Sequence, residues 1–270
     1  ADAYLAHQLY RLWVRNRRLY GRRKLWKAAR RAGITTDDGR PVGRDQVERL
    51  MRLAGISGIR RGKHRMVTSE SNPKAPRHPD HVKRRWKKPQ RPDQWWVADF
   101  TYVWTMAGFC YVSFVTDVFS RRILGWRVST VKTTPLVLLA IEQAMFTRRR
   151  TSYEFTTNGP LHHSDAGSQY TSLAFTGALA EAGITGSIGT VGDALDNALM
   201  ESTIGLFKTE VIEHEQTTWS TWREVEKAVA SWIHWYNHER LHSSIGDIPP
   251  VGYEQCYYDS NPGRDNPAVA

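Results

Sequence analysis

Three acidic residues stand out by type and spacing. Asp165 closes a short strand-like stretch in His162-His-Ser-Asp165-Ala-Gly-Ser-Gln-Tyr170. Glu201 lies in Gly192-Asp-Ala-Leu-Asp-Asn-Ala-Leu-Met-Glu201-Ser, with thirty-five residues between the two acids, and Lys208 follows seven residues later. Upstream, Asp99 interrupts the strand-like run Trp95-Trp-Val-Ala-Asp99-Phe-Thr-Tyr-Val103. A carboxylate among such neighbours is costly unless it is paired, bound to a metal or turned to solvent at an edge. Carboxylate oxygens are hard donors, and Mg²⁺, which keeps several of its waters, needs only a few of them. Such a set supports displacement at phosphorus, where two Mg²⁺ ions about 3.5–4 Å apart activate a nucleophile and stabilise a leaving oxygen.

Other groups fit that chemistry less well. Asp117 falls at a turn between strands, where an aspartate commonly bonds nearby backbone N–H groups, and it reads as structural. Asp165 taken alone reads equally as a turn or N-cap residue, and Glu201 taken alone as a solvated helical residue. Helical phase adds to the case for Glu201. At 100° per residue Leu195, Leu199, Ser202 and Leu206 gather on one stripe, and Asn197, Glu201 and Lys208 lie nearly opposite. Asn197 and Lys208 are therefore expected beside Glu201, with Lys208 holding a phosphate by charge pairing. Asp196 points to neither stripe, and Asp193 suits the N-terminal dipole of the same helix. His162 and His163 have no Cys or third His arranged around them, so zinc is not expected. Cys110 and Cys256 are far apart with no Cys-x-x-Cys pair, and read as free thiols.

The elements that must position these residues follow from periodicity. Tyr4, Leu5, Leu9 and Leu12 recur at helical spacing. Tyr20 to Gly33 reads as a second helix and Arg44 to Ala54 as a third, with Gly33 and Gly55 as stops. From Trp95 the pattern turns to strands, at 95–104, 109–116 and 122–128, with Met106-Ala-Gly108 as the first turn. Thr134 to Arg149 is helical, with Leu136, Leu139, Ala140 and Gln143 at helical spacing. A short strand follows at 161–164, a helix at 173–182 and a strand at 185–188. Long helices are expected from Asp193 to about Glu215 and from Trp219 to about His238. A three-strand meander followed by alternating helix and strand is the order of an RNase H-like fold.

Charge divides the chain. Of its 38 Lys and Arg, 26 lie in residues 1–92 against 7 acids, a net of +19, and the remainder carries a net of −8. A basic block joined to an acidic one suggests a polyanion-binding arm on a metal-binding domain. Four segments are expected. Residues 1–60 form a small all-α, helix-turn-helix-like DNA-binding domain. Residues 61–94 form a basic, Pro-rich linker. Residues 95–253 form an α/β catalytic core, a mixed sheet flanked by helices, and 254–270 a tail. Arg22, Arg23, Lys24, Arg44, Arg60, Arg61, Lys63, Arg84 and Arg85 are the cations expected at DNA. No run is long enough to span a bilayer, and nothing reads as a signal peptide, so a cytoplasmic setting is the expectation.

The match then extends beyond three acids. Trp96-Val-Ala-Asp99-Phe-Thr-Tyr, Asp117-Val-Phe-Ser-Arg-Arg-Ile-Leu-Gly-Trp126, His163-Ser-Asp165-Ala-Gly-Ser-Gln-Tyr170, Lys208-Thr-Glu210 and Trp235-Tyr-Asn-His-Glu-Arg-Leu-His242 resemble the second-frame portion of IS3-family insertion-sequence transposases. So does Tyr20-Gly-Arg-Arg-Lys-Leu-Trp26, and the resemblance spans nearly the whole chain. It implies a D-D-35-E site like that of retroviral integrases, with Asp99, Asp165 and Glu201 as ligands of Mg²⁺, two ions, with Mn²⁺ as a substitute. It implies hydrolysis at the 3′ ends of an element, attack of the freed 3′-OH on a second phosphodiester, and a circular intermediate. Arg240 and Asn237 match positions expected to support the site or the DNA. The implied partners are terminal inverted repeats, target DNA, a second copy of the chain for synapsis, and an upstream OrfA-type segment. No heptad run for that segment is found in this sequence, so the chain alone is expected to select its terminal repeats poorly. Two other readings share these residues: an RNase H-like nuclease or junction resolvase, and a catalytically silent DNA-binding regulator.

Overall fold

A computed structural model describes residues 2–59, 89–150, 161–164, 173–181, 183–188, 198–215 and 218–261. Among them the chain divides into two compact units. One holds the N-terminal helices together with His238–Pro249, and the other holds the sheet and the remaining helices.

The helical unit contains α1 (Asp2–Arg15), α2 (Arg22–Arg31) and α3 (Arg44–Leu53). Each helix buries one apolar stripe, with Leu5 and Leu9 from α1, Leu25, Ala28 and Ala29 from α2, and Val47, Leu50 and Met51 from α3. The glycine stops are observed where they are expected. Gly33 has φ 66° and Gly55 has φ 64°, the left-handed conformation that ends a helix cheaply only at glycine. Residues 238–249 complete this unit. The Tyr20 hydroxyl accepts the Leu241 N–H at 2.7 Å, Arg15 pairs with Glu239 at 2.9 Å, and Asp247 lies 3.5 Å from Arg23 and 3.8 Å from Lys27.

The second unit is built on a five-stranded sheet of β1 (Trp95–Thr105), β2 (Gly108–Asp117), β3 (Ile123–Ser129), β4 (Leu161–Ser164) and β5 (Thr185–Ile188). Their spatial order is β3-β2-β1-β4-β5, with β1 antiparallel to β2 and parallel to β4. This is the mixed, RNase H-like arrangement expected from the element order. One face carries α4 (Thr134–Arg149) over a core of Trp96, Ala98, Val115, Leu124, Val137, Ala140, Ile141 and Ala144. α5 (Leu173–Glu181) adds Leu179 to the same core. A Cβ on Gly125 would meet the Ala140 carbonyl oxygen at 2.0 Å, so glycine is what lets α4 lie directly on β3. The other face packs on α6 (Ala198–Phe207) and α7 (Trp222–His238) through Phe114, whose ring lies 5.4 Å from Phe207 and 6.1 Å from Trp232. The last helix is α8 (Pro250–Asp259).

Several expected boundaries and phases differ. α7 begins at Trp222, because Trp219 and Ser220 are extended and accept the Met106 and Ala107 N–H groups of the β1–β2 turn at 2.8 and 3.2 Å. On α4 the buried stripe includes Val137 and Ile141, and Leu139 is exposed. The expected tail at 254–270 begins inside α8, whose Glu254 is buried among Arg148, Arg122 and Ser120. Residues 238–249 make their contacts with the helical unit, through Tyr20, Arg15, Arg23 and Lys27.

Candidate active site

Asp99 sits half-buried in the middle of β1, opposite Phe114 of β2. Cross-strand partners share a face, so its side chain lies on the face that α6 and α7 cover. Its Oδ1 accepts the Phe100 N–H at 2.8 Å. β4 runs beside β1 in parallel register, with Val97 opposite His163 and Ala98 opposite Ser164. That register ends one residue before Asp99 on β1 and, on β4, one residue before Asp165 in the sequence. Asp165 itself lies outside the described residues.

Glu201 is exposed in the first turn of α6, the helix that packs on β1. The helix buries Met200, Thr203 and Phe207, not the expected stripe of Leu199, Ser202 and Leu206. The reason is compositional: Leu199, Met200, Ile204, Leu206 and Phe207 offer apolar side chains on more than one face, so periodicity leaves the phase open. The exposed face still carries Glu201. After Phe207 the helix continues as a π-helical stretch, Lys208–Glu213, a geometry that often accompanies functional sites.

Lys208 and Glu210 diverge from that stretch. Lys208 is half-buried, with Nζ 5.4 Å from the centroid of the Tyr102 ring. Burial pushes its ammonium below the usual lysine range, and the charge of Asp99 acts against that shift. Glu210 turns inward and accepts the Trp232 Nε1–H at 3.0 Å. The motif Lys208-Thr-Glu210 thus gives one charge to the site side of the helix and one to its anchorage on α7.

Asp117, read as structural from its turn, is fully buried. Its Oδ1 accepts the Ser120 N–H at 2.7 Å and lies 2.8 Å from the Ser120 hydroxyl, and its Oδ2 accepts the Asp93 N–H at 2.8 Å. Burial raises its carboxyl to about 7, against the nearby charge of Arg148. Asn237, matched by motif alone, pins the sheet edge. Its side chain accepts the Ile123 N–H at 2.9 Å and donates to the Ile123 carbonyl at 2.8 Å.

The cations expected at DNA are placed unevenly. Arg23 and Arg44 are well exposed, the latter 3.8 Å from Asp45. Arg22 is ion-paired with Glu48, and Lys24 lies 5.5 Å over the Tyr20 ring. Arg240 is 4% exposed, with its guanidinium 3.4 Å from the Leu241 carbonyl and from His242 Nδ1, so it packs within the helical unit and is not displayed to a phosphate. Asn197, Arg60, Arg61, Lys63, Arg84 and Arg85 lie outside the described residues, as does Asp165. Among the described residues no three potential ligands gather around one point. Both described acids, Asp99 and Glu201, offer hard oxygen donors on elements that pack together, which fits a hard divalent cation and not a soft one. Among the described residues no helix is long and apolar enough to cross a membrane.

Residues 89–194 match the family model described as an integrase core domain, residues 182–250 match a second model of that description, and residues 1–64 match an HTH-like domain. Over 268 residues the chain is 47% identical to a putative transposase for insertion sequence element IS986/IS6110 of Mycobacterium tuberculosis, covering 99% of this chain and 92% of that protein. It is 44% identical over 259 residues to the transposase for insertion sequence element IS629 of Shigella sonnei, covering 96% and 81% of the two. In fold it is similar to a chain of the simian T-cell lymphotropic virus intasome in complex with PP2A regulatory subunit B56 gamma. That match has a TM-score of 0.51 and 13% identity, and covers 79% of this chain and 67% of that one.

Proposed function

Because this chain belongs to the IS3 family of insertion-sequence transposases, we propose that Asp99, Asp165 and Glu201 are its catalytic triad and that it cuts and joins DNA through them. The observation that carries this reading is the parallel register of β1 and β4. Ala98 and Ser164 are partners, and each is followed directly by an acid. Each acid therefore comes directly after the last paired position of its strand in the sequence, Asp99 continuing along β1. α6, packed on β1, brings Glu201 from a third element.

Asp99, Asp165 and Glu201 would hold Mg²⁺, or Mn²⁺ in its place, as a pair of ions, and the metal would supply positive charge for displacement at phosphorus. The protein does the positioning. Asp99 is fixed by its strand and by the Phe100 N–H. Lys208, whose ammonium stands near Asp99, pairs with a phosphate of the DNA end. In the first step water attacks the phosphodiester at the 3′ end of the element. A P–O bond forms to the water oxygen, the P–O3′ bond breaks, and the element keeps a 3′-OH. In the second step that 3′-OH attacks another phosphodiester, and one P–O bond replaces another without loss. When this second bond lies at the opposite end of the same element the product is the circular intermediate that family membership implies. Two ends must meet for this, so at least two copies of the chain assemble on DNA, the basic N-terminal arm holding the duplex.

The test is to incubate the wild type and Glu201→Gln with DNA containing the element end and Mg²⁺, and to map 3′ nicks at nucleotide resolution. Nicks at the element end that vanish in Glu201→Gln are expected. Binding without nicks in the wild type would favour the silent regulator, and nicks scattered without regard to the end would favour a nuclease.

A further inference from the structure

The tip of the β1–β2 hairpin carries a group of large side chains that the core does not use. Trp104 is 61% exposed, Met106 73% and Phe109 48%. A contiguous exposed patch of this kind marks a binding surface more often than chance. Trp104 is the cross-strand partner of Phe109, and Tyr102 that of Tyr111, so these four residues share one face of the hairpin. Their rings lock edge to face, Trp104 on Phe109 at 4.9 Å and Tyr102 on Phe109 at 5.4 Å. The tip is also anchored from below, since the Met106 and Ala107 N–H groups bond to the Trp219 and Ser220 carbonyls. The aromatic faces are therefore held in place before any ligand arrives.

Two cations border this face. Lys132 Nζ lies 4.8 Å from the Phe100 centroid, and Lys208 Nζ lies 5.4 Å from that of Tyr102. Phe100, Tyr102 and Trp104 alternate along β1, so ammonium groups and aromatic rings form one row. An apolar protein partner has no use for two lysines in that row. Rings that take a π-face, flanked by charges that take phosphate, suit unpaired nucleobases on their own backbone.

The row is also continuous with the catalytic strand. Lys208 stands over the Tyr102 ring and feels the charge of Asp99, so it links the row to the catalytic strand. Trp104 is five residues beyond Asp99, about 17 Å along the strand, or about five base steps at 3.4 Å.

We infer that Trp104 and Phe109, with Tyr102 beneath them, stack unpaired bases of a DNA strand bound along β1. This rests on the catalytic reading for the position of the DNA, while its test does not require catalysis. The full chain in metal-free buffer is titrated with a short single-stranded oligodeoxynucleotide carrying 2-aminopurine, and with the matching duplex. Quenching of 2-aminopurine reports stacking. Trp104→Ala and Phe109→Ala should each lose quenching and weaken single-strand binding about five- to hundredfold, the effect of one stacked base. Duplex affinity should stay within about twofold, since phosphate contacts carry it. Trp104→Phe should keep most of the affinity, and the exposure of Trp104 makes loss of fold in Trp104→Ala checkable by circular dichroism.

Unchanged single-strand binding in both alanine variants would overturn the inference, and so would equal losses on single strand and duplex. A change in sedimentation with oligonucleotide binding intact would mark the tip as a contact between copies of this chain, which also overturns it. Selective loss of stacking in a protein that nicks nothing would leave the platform standing and remove the catalytic reading.

Discussion

Arg148, near the end of α4, and Glu254 of α8 form a two-pronged pair in the interior of the sheet unit, with Nη1 2.9 Å from Oε2 and Nη2 2.5 Å from Oε1. Both are almost fully buried. Arg148 Nε also lies 2.7 Å from Asp93, and Arg122 adds a 2.7 Å contact to Glu254. Burial disfavours the Glu254 charge, yet the two arginines outweigh it and hold the carboxyl down at about 2. The pair ties the C-terminal helix to the turn after β2, since Ser120 donates its N–H to Asp117 and its hydroxyl to Glu254.

Removing one partner leaves the other charge buried, which costs about 3–5 kcal/mol. Glu254→Ala is therefore expected to lower the stability of the sheet unit by that amount, and Glu254→Gln, which keeps the shape and one acceptor, by less. Urea unfolding followed by tryptophan fluorescence would check this. Equal midpoints for Glu254→Ala and wild type would show that α8 contributes nothing to the core.

Gly125 makes a different kind of prediction, one of shape. A methyl group there meets the Ala140 carbonyl oxygen at 2.0 Å and the Ala144 nitrogen at 2.8 Å, both backbone atoms that no rotamer change can move. Gly125→Ala must push α4 off β3, and overpacking of this sort costs about 1–3 kcal/mol or more. The expected result is a lower unfolding midpoint with nicking lost in parallel. A fully stable variant would show that α4 can shift freely over the sheet.

Acid sensitivity should follow His162. It is 1% exposed on β4, and burial, aided by the charge of His163, pushes its imidazole from 6.5 down to about 3. Between those values the unfolded chain binds a proton that the folded chain refuses. Stability is then highest above the unfolded value and falls as the pH drops through the window. The slope is about 1.4 kcal/mol per pH unit for this one group. His162→Gln should flatten the dependence between about pH 6.5 and 5 relative to wild type. Parallel curves would mean that the imidazole protonates in place.

Much of this was legible beforehand, for identifiable reasons. Gly33 and Gly55 announce helix ends because only glycine takes a positive φ there without cost. Asp99 is conspicuous because it breaks an apolar strand, and Lys208 because it follows Glu201 on the same helical face. The α6 and α4 phases were less legible because both helices carry apolar residues around more than one side. α8 was missed because Pro250-Val-Gly-Tyr-Glu-Gln-Cys-Tyr-Tyr-Asp259 has no helical stripe of its own. What anchors it includes Glu254, whose partner Arg148 is over a hundred residues away. Arg240, matched by motif and expected to support the site or the DNA, is packed beside His242, a neighbour that motif matching alone does not reveal.

Lys208 yields the prediction closest to function. Its ammonium stands near Asp99 and over Tyr102, partly withdrawn from water, so it is poised to exchange those neighbours for a phosphate. Neutralising one phosphate releases counterions, and the slope of log affinity against log salt changes by about 0.9 per contact on B-form DNA. Lys208→Ala should weaken binding to an element-end duplex and reduce that slope by about one. Lys208→Arg should restore the slope but not the full nicking rate, because a planar guanidinium does not reproduce the geometry of a compact ammonium over the Tyr102 ring. Binding isotherms at several salt concentrations, with nicking measured on the same duplex, separate the two effects. A slope unchanged in Lys208→Ala would remove Lys208 from the DNA interface and leave it as a counter-charge to Asp99.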